Sequence, residues 1–228
     1  APMEFSDGHS YAVPISNTGK GLMYNEELFE KAGITGVPKT ADELWEACEK
    51  LKAIGVTPFA CGHQDGWTIG QNLYRCAIDQ WAPDNFLELK KNGEISFADF
   101  YPEYLGWIDN YLKYIDNPVS TSYATALGKL AAEEAAMIIN GPWAIDSISE
   151  MSEEVANKFR MTGVPYTNDP NKTKIIEDAD VYLLVSNSTE EKIEGSKKFL
   201  TWMATNEKAI EIWKEHLKFP NPYGIEYD

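Results

Sequence analysis

The sequence is poor in the residues that most often carry chemistry. It has three cysteines and three histidines among 228 residues. Cys48, Cys61 and Cys76 form no Cys-x-x-Cys pair, which removes the common zinc-ribbon and thioredoxin spacings. Their surroundings are apolar or helix-forming, so they read as small buried hydrophobes, with one disulfide among them as the alternative. His9, His63 and His216 fall in a tail, a loop and a helix end, which does not make a metal-ligand set. There is no Gly-x-Ser-x-Gly, no His-Glu-x-x-His and no Cys–His pair at a known catalytic spacing. No apolar run approaches the roughly 18–20 residues of a membrane span. Basic charge is scarce too: 20 Lys and Arg stand against 36 Asp and Glu, a formal charge of −16. Nucleic acid needs clustered cations, so that class is disfavoured, as is an anionic membrane surface. The acids come in pairs such as Glu26-Glu27 and Glu153-Glu154, which marks a solvated exterior.

What is present is an ordinary globular composition, 43% hydrophobic and 25% charged. The chain is organised around residues 135–145, AAMIINGPWAI. Residues 136–139 have the length and branching of a buried strand. Asn140-Gly141-Pro142 turns the chain, and Trp143 leads into a helix with Pro142 placed at its start. A strand that turns into a helix puts its turn at the carboxyl end of a sheet, where open α/β sheets bind ligands. Trp143 there offers a flat apolar face with one N–H donor. Packing between helix and sheet is the alternative for the same residue.

The same order occurs earlier. Residues 56–61, VTPFAC, read as a strand, residues 62–66, GHQDG, as a polar loop, and Trp67 opens a helix to about residue 81. Two such units suggest two tryptophans facing one cleft. Around them, residues 11–15 and 22–24 read as short strands joined by a glycine-rich turn, SNTGKG. The TGKG within it lacks the glycine spacing of a phosphate loop. Asn25 caps a helix, and Thr40 with Glu43 forms a capping box for another. Residues 101–115 make a helix with an aromatic core face, residues 123–134 another. The helix after Trp143 runs to about Lys158, and residues 159–166 form a strand. Residues 174–185 hold two extended runs around an acidic bend, Glu177 to Asp180. Ser188 to Glu191 reads as a second capping box, followed by two helices. Strands and helices alternate, so the class is α/β.

Several stretches in fixed order resemble the extracellular sugar-binding proteins of bacterial ABC importers, the group that includes maltose-binding protein. They are YAVPISNTGKGLMYNEELFEKAGI, VPKTADELWEACEKLKAIGVTPFA, DGWTIG, AAMIINGPWAI and EKIEGSKKFLTWMATNE. The resemblance covers nearly the whole chain. It implies a periplasmic-binding-protein-like fold of type II, with a three-layer α/β/α lobe and part of a second. Residues 18–176 match the family's second lobe. Residues 1–17 and 181–228 match hinge strands and pieces of the first, and 177–180 the second hinge crossing. The family's chains are longer at both ends, so a fragment is expected.

The same resemblance implies a non-catalytic receptor that binds a sugar between two lobes and delivers it to a membrane permease. It acts outside the cytoplasm, periplasmic or lipid-anchored, as a monomer with no cofactor. Carried over position by position, Ser16, Asn17 and Thr18 lie on the first crossing strand. Gln64, Asp65 and Trp67 line one wall of the cleft, Trp143 takes the stacking position, and Glu177 and Asp180 lie at the second crossing. Thr18 stands where maltose-binding protein has an acid and Gln64 where it has an aromatic, which argues against maltodextrin. A sugar needs an aromatic plate for its C–H face and polar groups for its hydroxyl rim, and these residue types supply both. The competing reading is a glycoside hydrolase, with Asp65 paired to Glu177 or Asp180.

Overall fold

The computed structural model describes residue 8, residues 13–183, residue 185 and residues 188–212. The chain divides into two compact units, one of Lys20–Ile176 and one of the two flanks, Ala1–Gly19 with Glu177–Asp228. The strands are β1 (Val13–Asn25), β2 (Thr57–Phe59), β3 (Ala135–Asn140), β4 (Phe159–Thr162) and β5 (Ile176–Leu183). The helices of the first unit are α1 (Glu26–Lys31), α2 (Ala41–Ala53), α3 (Arg75–Trp81), α4 (Phe86–Lys91), α5 (Tyr101–Tyr111), α6 (Tyr123–Ala131), α7 (Trp143–Met151) and α8 (Glu153–Ala156). The flanks hold α9 (Glu190–Thr205) and α10 (Glu207–Ile212). No helix among the described residues is long and apolar enough to cross a membrane.

The sheet runs β2-β3-β1-β4, and β5 also pairs with β1. β2 and β3 are parallel, with Thr57 opposite Ala135 and Phe59 opposite Met137. β1 is antiparallel to both β3 and β4. Its side chains alternate between faces, as a strand requires. Leu22 and Tyr24 join a core with Leu44, Cys48, Leu51, Phe59 and Trp107, while Met23 joins one with Leu127, Leu130, Ile138 and Ile148. Helices therefore cover both faces of the sheet, and the three layers implied by the family resemblance are present. Every residue of β3 is buried. Full burial of Met137, Ile138 and Ile139 stabilises by roughly 1.5–3 kcal/mol each.

Two of the three caps read from the sequence form as the chemistry demands. Asn25 accepts the Leu28 N–H, and Thr40 with Glu43 closes a capping box on α2. The aromatic stripe of α5 is core: Trp107 and Tyr111 are buried, and the Trp107 indole donates to the Pro165 carbonyl at 3.2 Å. All three cysteines are free and buried, so none is in a disulfide.

Four local readings are corrected. SNTGKG is not a turn, because β1 runs unbroken through it. Thr18 and Lys20 are buried there, and a side chain at Gly21 would collide with the Thr162 carbonyl oxygen, so that glycine serves the close approach of β4. The acidic bend at Glu177–Asp180 is likewise continuous strand, within β5. Local polarity suggests a turn, but ladder pairing decides the backbone. The helix after Trp143 breaks at Ser152, whose side chain accepts the Val155 N–H and caps α8. α9 begins after Thr189, without a side-chain cap, so the Ser188 box is not formed.

Candidate functional site

Because β2 and β3 are parallel neighbours, their carboxyl ends share one edge of the sheet. The chain leaves that edge twice, through residues 60–66 and through residues 140–142. Each exit is followed by a tryptophan at the head of a helical segment. The repeated strand–turn–tryptophan order thus becomes two adjacent turns, at the place where α/β sheets bind ligands.

The first turn is held from within. Ala60 N–H donates to the Met137 carbonyl at 2.8 Å, which extends the β2–β3 pairing into the loop. Gln64 N–H donates to Thr121 O, and Thr68 N–H donates to Asp65 O. His63 bridges two buried hydroxyls, with Nδ1 at 2.9 Å from Thr68 Oγ1 and Nε2 at 3.2 Å from Tyr111 Oη. Thr68 Oγ1 also lies 2.9 Å from the Asp65 carbonyl, which only accepts. With Thr68 donating to Asp65, Nδ1 carries a proton and donates to Thr68, and a neutral ring then accepts from Tyr111 at Nε2. That chain needs a neutral imidazole. Burial supplies it, pushing the His63 pKa down to about 4. Trp67 follows, and a π-helical stretch, Thr68–Tyr74, leads into α3.

The Asp65 carboxylate serves this architecture too. Its Oδ2 accepts the Tyr123 N–H at 2.6 Å, the first residue of α6, whose N-cap Ser122 accepts the Thr125 N–H. A carboxylate at a helix start satisfies an otherwise orphan donor and complements the helix dipole. One oxygen of Asp65 is therefore occupied by the fold.

The second turn is built on Asn140, which is fully buried. Its Oδ1 accepts the Gly141 N–H at 2.9 Å, while its Nδ2 is buried with no protein partner. The Trp143 indole is half-buried and lies against Gly141, where any side chain would collide with the ring. Between the turns stands Tyr123. Its ring meets that of Trp67 edge-on, with centroids 4.9 Å apart and planes at 73°. Its hydroxyl is buried, which raises its pKa. Asn140 and Trp143 oppose that rise, so both lie near the hydroxyl, yet neither is in hydrogen-bonding geometry with it. A cavity of about 10 Å³, close to the space one water needs, is lined by His63, Thr68, Tyr111, Tyr123 and Asn140 among others.

The structure thus brings Gln64, Asp65, Trp67 and Trp143 to one edge of the sheet. Gln64 is exposed, Asp65 half-buried, and Trp67 39% exposed, a large share for an indole. Thr18 is buried on β1, and its Oγ1 has no partner. Ser16 and Asn17 lie on β1, Glu177 and Asp180 on β5, with side chains outside the described residues. Sequence reasoning missed Tyr123, Asn140 and His63. Asn140 carried a signal, a polar residue closing an otherwise apolar strand. Tyr123 carried none, since its partners are remote in the chain.

The sequence profile described as "bacterial extracellular solute-binding protein" matches residues 2–222, so the chain belongs to that family. It is 34% identical over 148 residues to an uncharacterised ABC transporter extracellular-binding protein of Pyrococcus horikoshii, covering 62% of this chain and 33% of the relative. It is 27% identical over 204 residues to the multiple sugar-binding protein of Streptococcus mutans, covering 86% and 47%. Among solved structures it is similar to a chitin oligosaccharide binding protein, with a TM-score of 0.80 at 21% identity, covering 99% of this chain and 56% of that one. That likeness gives the fold as the type II α/β fold of periplasmic solute-binding proteins. The chain spans between a third and about a half of the length of the two curated relatives.

Proposed function

We propose that this member of the bacterial extracellular solute-binding proteins is the sugar receptor of an ABC importer. It binds a sugar or oligosaccharide outside the cytoplasm and hands it to a membrane permease, without catalysis. The observation that carries the reading is the pair of tryptophan-bearing turns at the carboxyl edge of β2 and β3. Trp67 and Trp143 serve as plates for pyranose C–H faces. Gln64 and the second oxygen of Asp65 serve the hydroxyl rim; the family resemblance further nominates Ser16, Asn17, Thr18, Glu177 and Asp180 as ligand contacts. Residues 18–176 then correspond to the family's second lobe, and the flanks to hinge strands and parts of the first. Relatives named for multiple sugars and for chitin oligosaccharide support the sugar class. The hydrolase reading gains nothing from these relatives, which are named as binding proteins, and one of its nominated oxygens already caps α6.

The test is a tryptophan-fluorescence titration of the full-length protein against mono- and oligosaccharides, with Trp143→Ala alongside. A saturable change with one sugar, lost in the variant, supports the receptor. Binding unchanged in Trp143→Ala removes that indole from the site. Turnover of a chromogenic glycoside would overturn the non-catalytic reading.

A further inference from the structure

Tyr123 packs on the first tryptophan turn and reaches a cavity beside the second, through different atoms. Its backbone N–H is held by Asp65 at 2.6 Å. Its ring packs edge-on against Trp67. Its Cα lies so close to Gly62 that a Cβ there would come within 2.5 Å of it. These three contacts tie Tyr123 to the first turn. The other end of the same side chain reaches the second turn: its buried hydroxyl shares a small cavity with Asn140, the last residue of β3. The Trp143 indole begins three residues later, folded over Gly141.

We propose that Tyr123 is the positioning residue of the site, setting the spacing and tilt of Trp67 and Trp143 before a ligand arrives. The proposal rests on reading this edge as the wall of a sugar site. An indole that is 39% exposed is held by packing over only part of its surface. An edge-to-face partner supplies that hold, worth about a factor of 2 to 12 in rotamer population. Pre-set plates lose less side-chain freedom on binding, which is how preorganisation raises affinity. Tyr123 can act this way because α6 anchors it: Ala126, Leu127 and Leu130 of that helix are buried in the core beneath the sheet.

The test needs no sugar. The protein is labelled with 5-fluorotryptophan, and its seven tryptophans are assigned in the fluorine spectrum by single Trp→Phe variants. Tyr123→Phe keeps the ring and the N–H but removes the hydroxyl. It is expected to shift the Trp143 resonance and leave Trp67 in place. Tyr123→Leu removes the ring as well and is expected to shift both and to change the H2O/D2O isotope shift of Trp67, which reports the exposure of a re-oriented indole; a shift with the isotope effect unchanged is ring-current loss alone and overturns the positioning role. Trp45 and Trp107, packed on each other at 5.1 Å in the core, report whether the fold is intact. If they lose dispersion in Tyr123→Leu, Tyr123→Met takes its place. A Trp67 resonance unmoved by loss of the ring, or a Trp143 resonance unmoved by loss of the hydroxyl, overturns the proposal. The spectra are recorded without ligand, so either outcome stands whether or not a sugar is found to bind.

Discussion

Protonating His63 should destabilise the unit that carries the candidate site. In the folded protein the imidazole accepts from Tyr111 and donates to Thr68, so the neutral form is satisfied at both nitrogens. A proton on Nε2 makes Tyr111 the acceptor, so the buried hydroxyl loses the imidazole as a partner for its own O–H. Burial, which disfavours the charged ring, lowers the His63 pKa from 6.5 to about 4. The unfolded chain takes the proton near 6.5, the folded chain only near 4, so between those values the unfolded state binds more protons. Stability from this group is complete above about pH 6.5 and is lost as pH falls toward 4. The full shift corresponds to about 3 kcal/mol. Because the ring is only partly buried, about 2 kcal/mol is the expected size after screening. For a chain of this length that is about 4–8 °C in Tm. Calorimetry of wild type and His63→Gln from pH 7.5 to pH 4 measures it, since carboxylates titrate alike in both and cancel in the difference. The wild-type advantage in Tm should shrink by that amount across the window. A difference that stays constant with pH would refute the neutral, buried bridge.

Three further outcomes follow from the packing. Gly21→Ala forces a Cβ into the Thr162 carbonyl of β4 and should cost about 1–3 kcal/mol in urea unfolding; a neutral result would show that β4 can move aside. Asp65→Ala removes the acceptor at the start of α6 and should cost about 1 kcal/mol, whereas Asp65→Asn, which keeps an acceptor oxygen, should recover most of it. Cys48, Cys61 and Cys76 are buried, and burial pushes the Cys61 thiol up to about 11 and the Cys48 thiol higher. None should react with a thiol reagent at pH 8 in the native state, and all three should react in denaturant.

The places where local reading failed share a cause. Ser16 to Gly21 looks like a turn because glycine and polar residues usually mark exposed backbone that needs freedom. Here Thr18 and Lys20 are buried on a long strand, and Gly21 is small because β4 passes close by. Glu177 to Asp180 looks like a bend for the same compositional reason and is strand in β5. Composition reports average solvent exposure, whereas ladder pairing with a partner strand overrides it.

The sequence by itself determined the class of the fold, most helix starts, the burial of β3 and the identity of both tryptophan turns. Those features are local: periodicity, caps and turn residues act within a few positions of each other. Only the tertiary structure decided that β2 and β3 are parallel neighbours, and so that the turns after them share an edge. It also decided that Asp65 is in part a helix cap, that His63 is a neutral bridge, and that Tyr123 stands between Trp67 and Asn140. Each of these is a contact between residues of separate segments. Local preferences do not encode it, because it exists only once the sheet has chosen its strand order.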